Sequence, residues 1–383
     1  METYPRIIIA LQEMVDNDEK LKTELMCCID QAYAQWEKQD SPPQWALIKT
    51  LEQFYAYLDR LMVSTPADSD FDDLFHELYF IISQDNNALQ TEKEFATFQQ
   101  WLAVFVEVYG SFLNTPQSAN KLYSFTHDKT FEIGLFTIPP GGFNSFNTFF
   151  CRYIRPGERP IGSDTYAFDP PSAGNPLPES PKTDPDTIHK NMSDDNVIVV
   201  PADSVYKGYW HISEKDTVTV SKGNTYKIGE LLDGSEYADC FRSGIFTHSY
   251  LTVFTYHRYH VPVRGTVLET KIISGKVYAS VELTNGHLGA TDGAGYQFKQ
   301  DRALIVMETS VGKVAMVPIG MDFISSCNLS VDKGAYINKG DEFGYFLFGG
   351  SDMIMLFEKP NIDIALKEID KFHKLGQVFG RLK

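Results

Sequence analysis

Two short segments of the chain carry the residue types of acid–base and nucleophilic chemistry. Tyr256-His257-Arg258-Tyr259-His260-Val261-Pro262 sets two histidines and an arginine at the end of an apolar run, just ahead of Gly265. Imidazole titrates near neutrality, and loops at the ends of strands are where reacting groups are commonly displayed. Phe348-Gly349-Gly350-Ser351-Asp352 places a hydroxyl after two glycines, between the apolar stretches Tyr345 to Phe348 and Met353 to Phe357. Glycine accepts backbone angles closed to other residues, so the bland reading of this junction is a tight turn or a bulge. It is not a hydrolase elbow, G-x-S-x-G, because Met353 stands where the second glycine belongs, and no Gly-Lys-Ser/Thr follows as in a P-loop. Zinc on the histidine pair is not expected: an offset of three residues points the rings to opposite faces of a strand, and no third ligand is apparent. The bland reading of the pair is two hydrogen-bonded structural histidines.

The elements that must position these residues fall into three regions. From Pro5 to Leu113 apolar residues recur at three and four: Leu47, Leu51, Phe54, Tyr55, Leu58 and Leu61 share one helical face, and Trp101, Phe105, Val108 and Phe112 another. Ser69 with Asp72 and Thr91 with Glu94 have the spacing of capping boxes at helix starts. No catalytic constellation is visible here. His76 reads as a packed histidine, and the adjacent Cys27 and Cys28 as helix residues, since neighbours on a helix diverge by about 100°. Residues 163 to 195 are rich in Pro, Asp, Ser and Thr, which cannot build a core, and read as an exposed, mobile loop. Its acidic clusters lack the ligand order of an EF-hand. Beyond Asn196 short β-branched runs alternate with Gly, Asp and Asn turns: Val197 to Val200, Thr217 to Val220, Tyr250 to Tyr256, Lys276 to Val281, Leu304 to Met307 and Val314 to Val317. The fold class is therefore α+β, with a helical domain over residues 1–125 and a β-rich catalytic domain over 126–383.

The 383 residues are 43% hydrophobic and 22% charged, with 27 Phe and 20 Tyr, which suits a globular protein with a substantial core. Thirty-four Lys and Arg against 51 Asp and Glu leave a net charge of −17, which repels phosphate backbones and gives no general attraction to anionic bilayers. Nucleic acid is excluded as a partner, and membrane association is not expected. Five cysteines (Cys27, Cys28, Cys151, Cys240, Cys327) without C-x-x-C spacing are too sparse for a disulfide scaffold and fit a reducing compartment. Neither a signal peptide nor an apolar run of about 18 residues is seen, so a cytoplasmic location is expected.

Four separated motifs then match a known family in its own order along the chain. They are Phe143-Asn-Ser-Phe-Asn-Thr-Phe-Phe-Cys-Arg152 with Arg155-Pro-Gly-Glu-Arg-Pro-Ile161; Val200-Pro-Ala-Asp203-Ser204; Tyr256 to Pro262 with Gly265; and Phe348-Gly-Gly-Ser351. Over residues 143 to 360 the chain resembles the phosphatidylserine decarboxylases, which are self-processing pyruvoyl enzymes. Within them it is most similar to the soluble branch that includes the fungal L-tryptophan decarboxylase of psilocybin biosynthesis, which shares the helical N-terminal region, Gly-Gly-Ser in place of Leu-Gly-Ser, and a counterpart to Ile319-Gly-Met-Asp-Phe-Ile-Ser-Ser-Cys327. One position departs from the pattern: the residue after the serine is usually Thr or Ser, and here it is Asp352.

The resemblance implies a mechanism that these residue types can run. Asp203 would orient His260, and neutral His260 would take the proton of Ser351 Oγ as it attacks the Gly350 carbonyl, turning the amide into an ester. Loss of the Ser351 α-proton would cleave that ester by elimination, and hydrolysis of the resulting dehydroalanine would release ammonia and leave a pyruvoyl group at the new N-terminus. The large and small chains, cut between Gly350 and Ser351, would stay associated. No external cofactor or metal is implied. An amine-bearing carboxylate would condense with the pyruvoyl ketone to a Schiff base and lose CO2, and His257, or less favourably Tyr256, would protonate the product carbon. The implied substrate is a free aromatic L-amino acid such as tryptophan, with phosphatidylserine as the alternative. An uncut, non-enzymatic binding homologue, with Asp352 marking lost processing, is the alternative of another class.

Overall fold

A computed structural model describes the whole chain apart from residues 1–3, 41, 44–45, 69–70, 221–224, 276, 278, 280, 291–295, 321–325 and 350. Ser69 and Gly350 thus lie outside the described residues, as do parts of the 276–281 run and of the 319–327 motif.

The N-terminal region is a helical bundle in which Tyr4–Asn17, Glu19–Trp36, Leu51–Met62, Phe71–Ile82 and Ala96–Phe112 are the main helices. Most of the expected stripes face inward: Phe54, Tyr55, Leu58, Leu61, Trp101, Phe105 and Phe112 are buried and Leu51 and Val108 partly so, whereas Leu47 lies before the third helix, outside any helical face. Thr50 opens the third helix with a reciprocal cap, its hydroxyl accepting from Gln53 N while Gln53 Oε1 accepts from Thr50 N. Thr91, expected to open a helix, instead closes one, its hydroxyl donating to Asn87 O at 2.9 Å. The reason lies upstream, where Asp85, Asn86 and Asn87 adopt left-handed angles, so that the helical run ends before Glu94 enters a short 3-10 turn.

Glu77 sits inside this bundle with Oε2 accepting from Trp36 Nε1 at 2.9 Å. Burial holds its pKa well above the usual carboxyl range, so the folded state keeps the proton that the unfolded chain releases. Its contribution is present below the unfolded pKa and is lost as pH rises. Glu77→Gln, which keeps the acceptor and cannot ionise, should leave stability at pH 4 unchanged and raise it at pH 8, with a gain growing by roughly 1.4 kcal/mol per pH unit above about 4.5 until the folded pKa is reached. Urea unfolding at the two pH values measures this.

Among the described residues, the C-terminal region is built on an eight-stranded antiparallel sheet. Its spatial order is Tyr336–Ile337, Gly265–Ile273, Arg302–Thr309, Gly312–Gly320, Ser351–Phe357, Ile245–Leu251, Ser204–His211 and Lys371–His373. The expected strand over Tyr250 to Tyr256 runs earlier, at Ile245–Leu251, because Thr252 O accepts from both Thr255 N and Thr255 Oγ1 and folds the following residues into a turn. The 163–195 segment is also more structured than its composition suggests. Pro185 starts the helix Pro185–Ser193, a position where its missing N–H costs nothing, and the buried Asn191 donates to Gly162 O at 2.8 Å while Lys339 Nζ donates to Asn191 O at 3.0 Å.

The Ser351–Phe357 strand lies inside this sheet, paired on both sides, Ser351 opposite Gly320 and Leu251. Alternation sends Met353, Met355 and Phe357 to a face within the large apolar cluster, which also holds the bundle core, and Ile354 and Leu356 to a second apolar cluster on the other. Ser351 shares the first face and Asp352 the second. The bundle is tied to the β region through Ser83 Oγ and Gln90 Nε2, both donating to Ala279 O at 3.2 and 2.9 Å.

Candidate active site at the Ser351 junction

Ser351 is the first residue of its strand and is 1% exposed, and among the described residues its hydroxyl makes no hydrogen bond. A buried hydroxyl left without a partner costs on the order of 1–3 kcal/mol. The chain leading into it is braced from the side. Asn147, on the short helix Phe146–Phe150, accepts from Phe348 N at 3.1 Å through Oδ1 and donates to Asn114 Oδ1 at 3.0 Å, linking the junction to the end of the helical bundle. Phe348 meets Phe146 and Phe150 edge to face, with centroids 5.2 and 5.4 Å apart.

The histidine segment runs antiparallel to the residues that precede the junction. Arg258–His260 pairs with Glu342–Phe346, and Phe346 N donates to His257 O at 2.9 Å. The close approach needs Gly344, where a Cβ would stand 2.0 Å from Asn328 O and 2.3 Å from the Tyr259 ring. The far end of the same segment is held by His260 N donating to Pro201 O at 2.7 Å, two residues before Asp203. Asp203 in turn precedes the strand whose Val205 pairs with Tyr250, so it lies two strands from Ser351, on the order of 10 Å away. The backbone thus links His257 to Phe346, five residues before Ser351, and His260 to Pro201, two residues before Asp203.

Their pairings differ from the expected relay. Asp203 is buried and receives Arg159 in a fork, Nε at 2.9 Å from Oδ1 and Nη2 at 2.6 Å from Oδ2, with Leu375 N donating to Oδ1 at 2.8 Å. Among the described residues it makes no hydrogen bond to His260, because a planar guanidinium satisfies a carboxylate better than a single imidazole N–H does. Asp203 acts on His260 through space, its charge favouring the protonated ring while burial, the larger effect, pulls the pKa down. His260 Nδ1 lies 2.8 Å from Gly340 O, and a carbonyl only accepts, so Nδ1 carries the proton and the Nε2 lone pair takes the Tyr256 hydroxyl at 3.0 Å.

His257 precedes the strand and is buried, its ring stacked 3.8 Å from that of Phe150, and Nδ1 donates to Thr255 O at 3.0 Å. Burial, with the nearby Arg152 guanidinium, lowers its pKa to about 3, so the ring is neutral at physiological pH with its lone pair on Nε2. Arg152 is itself buried, with Nη2 donating to Phe254 O at 2.9 Å and Thr255 O at 3.3 Å and its guanidinium 4.1 Å from the Phe136 ring centroid. It grips the same carbonyl that fixes the His257 tautomer.

Arg159, Arg152 and Asn147 were not assigned roles from sequence. Each stands inside a motif that could be read, but nothing in a linear string shows which carbonyl or carboxylate an arginine will meet. Among the described residues no cluster of His, Cys, Asp or Glu could hold a metal ion.

The neutral His257 makes a testable statement. Its folded pKa lies below the unfolded value near 6.5, so its contribution to stability is complete above that pH and is lost as pH falls towards 3. Between pH 7 and pH 5 the wild type should lose about 2 kcal/mol through this residue, and His257→Gln should show a loss smaller by that amount in urea unfolding at the two pH values.

The chain is similar to known decarboxylases. The family model described as phosphatidylserine decarboxylase matches residues 184–381. A phosphatidylserine decarboxylase proenzyme of Fusobacterium nucleatum is 28% identical over 282 residues, covering 72% of this chain and 82% of that protein. Phosphatidylserine decarboxylase proenzyme 3 of Schizosaccharomyces pombe is 31% identical over 277 residues, 70% of this chain but 25% of that longer protein. Decarboxylase iboD of Amanita muscaria is 28% identical over 269 residues, 63% of this chain and 66% of that protein. Proenzymes of this kind are pyruvoyl-dependent, the group arising from a serine of the chain, and their cleaved chains stay together. With more than half its length matched, the chain belongs to the phosphatidylserine decarboxylase family of pyruvoyl-dependent carboxy-lyases.

Proposed function

We propose that Ser351 is the serine this chain converts, that scission falls between Gly350 and Ser351, and that the mature protein decarboxylates a free aromatic L-amino acid such as tryptophan. What supports Ser351 is its buried hydroxyl without a hydrogen-bond partner among the described residues, at the start of an inner strand. A hydroxyl spared from hydrogen bonding is free to attack the carbonyl before it, and a site walled by Phe150 and Phe348 excludes the water that would intercept the reaction. Once formed there, a pyruvoyl group supplies an electrophilic ketone for the substrate amine and a sink for the electron pair left by CO2.

The protein's own residues divide the proton traffic. His260 Nε2 is the base for the Ser351 hydroxyl, with Tyr256, now bonded to that nitrogen, either turning aside or passing the proton along. Asp203, held by Arg159, steadies the charge that His260 gains. His257, buried with its pKa lowered to about 3 in the folded chain, is too weak a base to deprotonate the substrate ammonium, and its role is to deliver a proton to carbon after CO2 has left.

The preference for a free amino acid rests on a cavity of about 450 Å³ beside the Ala96–Phe112 helix, whose lining includes Asn147 and Leu347 near the junction but not Ser351 itself. Its walls include Val104, Val106 and Val277, and its charged residues are Glu107 and Asp301, with no Lys or Arg among the described lining. Such a cavity attracts an ammonium on an apolar side chain and disfavours a phosphodiester. The charge of −17 acts in the same direction against an anionic bilayer, and no helix among the described residues is long and apolar enough to cross a membrane.

A CO2-release panel of the amino acids beside phosphatidylserine vesicles, with Ser351→Ala as control, tests this reading. Release from an aromatic amino acid, abolished in Ser351→Ala, is expected; release confined to the vesicles would overturn the substrate, and release from neither would favour a binding protein. Among variants, His260→Ala should block scission, whereas His257→Ala should be cut at least in part and lose turnover by roughly 10²- to 10⁴-fold. A His257→Ala protein that turns over normally removes that residue from the chemistry.

A further inference from the structure

Asp352, the residue that departs from the family pattern, is turned away from the reacting face. It is wholly buried, and its Oδ2 lies 2.7 Å from His248 Nε2. His248 belongs to the adjoining strand Ile245–Leu251, where Tyr250 stands opposite Asp352 and His248 opposite Ile354, so the bond runs diagonally between strands on a single face. The next strand over presents Gly208 opposite His248, with φ +129 and a bulge between Tyr206 and Gly208, and a Cβ there would meet the Trp210 ring. Around Asp352 the same face carries Ile319, its partner in the other neighbouring strand, and Ile354, both in the apolar cluster. A polar pair placed with this geometry in an apolar layer fixes register strongly, since a slip by one residue would carry Asp352 to the opposite face.

We propose that the Asp352–His248 pair anchors the start of the small chain after scission and so holds the keto group derived from Ser351 in place, a positioning role that rests on the processing proposed above. Before scission the backbone on both sides of Ser351 constrains it. Cutting at residue 350 makes Ser351 the free end of a strand, and chain ends fray unless tied. The Ser351 side chain cannot supply the tie, because its hydroxyl is unbonded among the described residues and its oxygen is consumed in the conversion. Asp352 is the first residue beyond it that can, and its side chain already crosses to a neighbouring strand. Because Ser351 and Asp352 face opposite ways, the anchor occupies none of the space that a substrate needs.

The test compares wild type with Asp352→Ala, His248→Ala and Asp352→Asn, the last keeping an oxygen that accepts from His248. Three readouts are taken: the fraction cut by intact mass, the rate at which phenylhydrazine traps the ketone as a hydrazone with loss of water, and kcat with the best substrate of the panel. The expectation is that both alanine variants fold and are cut, that their ketone is trapped about ten-fold faster than wild type, and that kcat falls about ten-fold or more, with Asp352→Asn restored towards wild type. Wild-type trapping rates in the alanine variants overturn the proposal. So does an Asp352→Asn that matches the alanine variants, which would show that the hydrogen bond is not what matters. Alanine variants that are folded yet uncut place the pair before scission and also overturn it, and if Asp352→Ala does not fold, His248→Ala, which leaves the strand sequence intact, decides. A wild-type protein that is itself uncut would instead overturn the processing of Ser351, a separate failure.

Discussion

A serine hydroxyl sealed in the interior at the first residue of a strand paired on both sides is the constraint around which the rest of this molecule is arranged. Strand pairing fixes the Ser351 backbone laterally, Gly320 on one side and Leu251 on the other, while alternation decides that its side chain shares the face of Met353 and Met355. The α region reaches the residues before it: Phe71 meets Phe348 edge to face, and Asn147 takes Phe348 N with one end and Asn114 with the other, so the approach to the junction is held by the α region as much as by the sheet. A helical domain that only added bulk would have no need of such a link.

Burial then sets the protonation states. Both site histidines are pulled towards neutrality chiefly by burial, with Arg152 adding to the effect at His257, and the carbonyls of Thr255 and Gly340 each fix the proton on Nδ1 and leave the lone pair on Nε2. A neutral imidazole with a free Nε2 lone pair suits His260 to accepting a proton from a hydroxyl, whereas the lower pKa of His257 suits it to giving one up. Asp203, in the fork of Arg159, contributes a fixed charge to this setting in place of a direct hydrogen bond.

How much of this could be read beforehand follows from the range of each interaction. Helical stripes such as Phe54, Tyr55, Leu58 and Leu61 are local and were legible from spacing. The segments that carry the candidate residues, glycines before a serine and paired histidines before a proline, are local patterns too. Contacts that join distant parts of the chain were not legible. Arg159 and Asp203 are 44 residues apart, Asn147 and Phe348 are 201, and His248 and Asp352 are 104. Thr91 shows the converse, a local capping pattern defeated by three left-handed residues just before it. The 163–195 segment shows composition misleading for a similar reason: polar residues that cannot form a core still order against one, as Asn191 does with Gly162, Lys339 and Arg381.

The most direct measurement is the intact mass of freshly purified wild-type protein, before and after reduction with borohydride. If Ser351 is the residue converted, two species appear, and the smaller, residues 351 to 383, begins with a keto group in place of an amine and takes up a pair of hydrogens on reduction. A folded chain that remains whole, or a fragment that begins with an ordinary serine and does not change with borohydride, would contradict it.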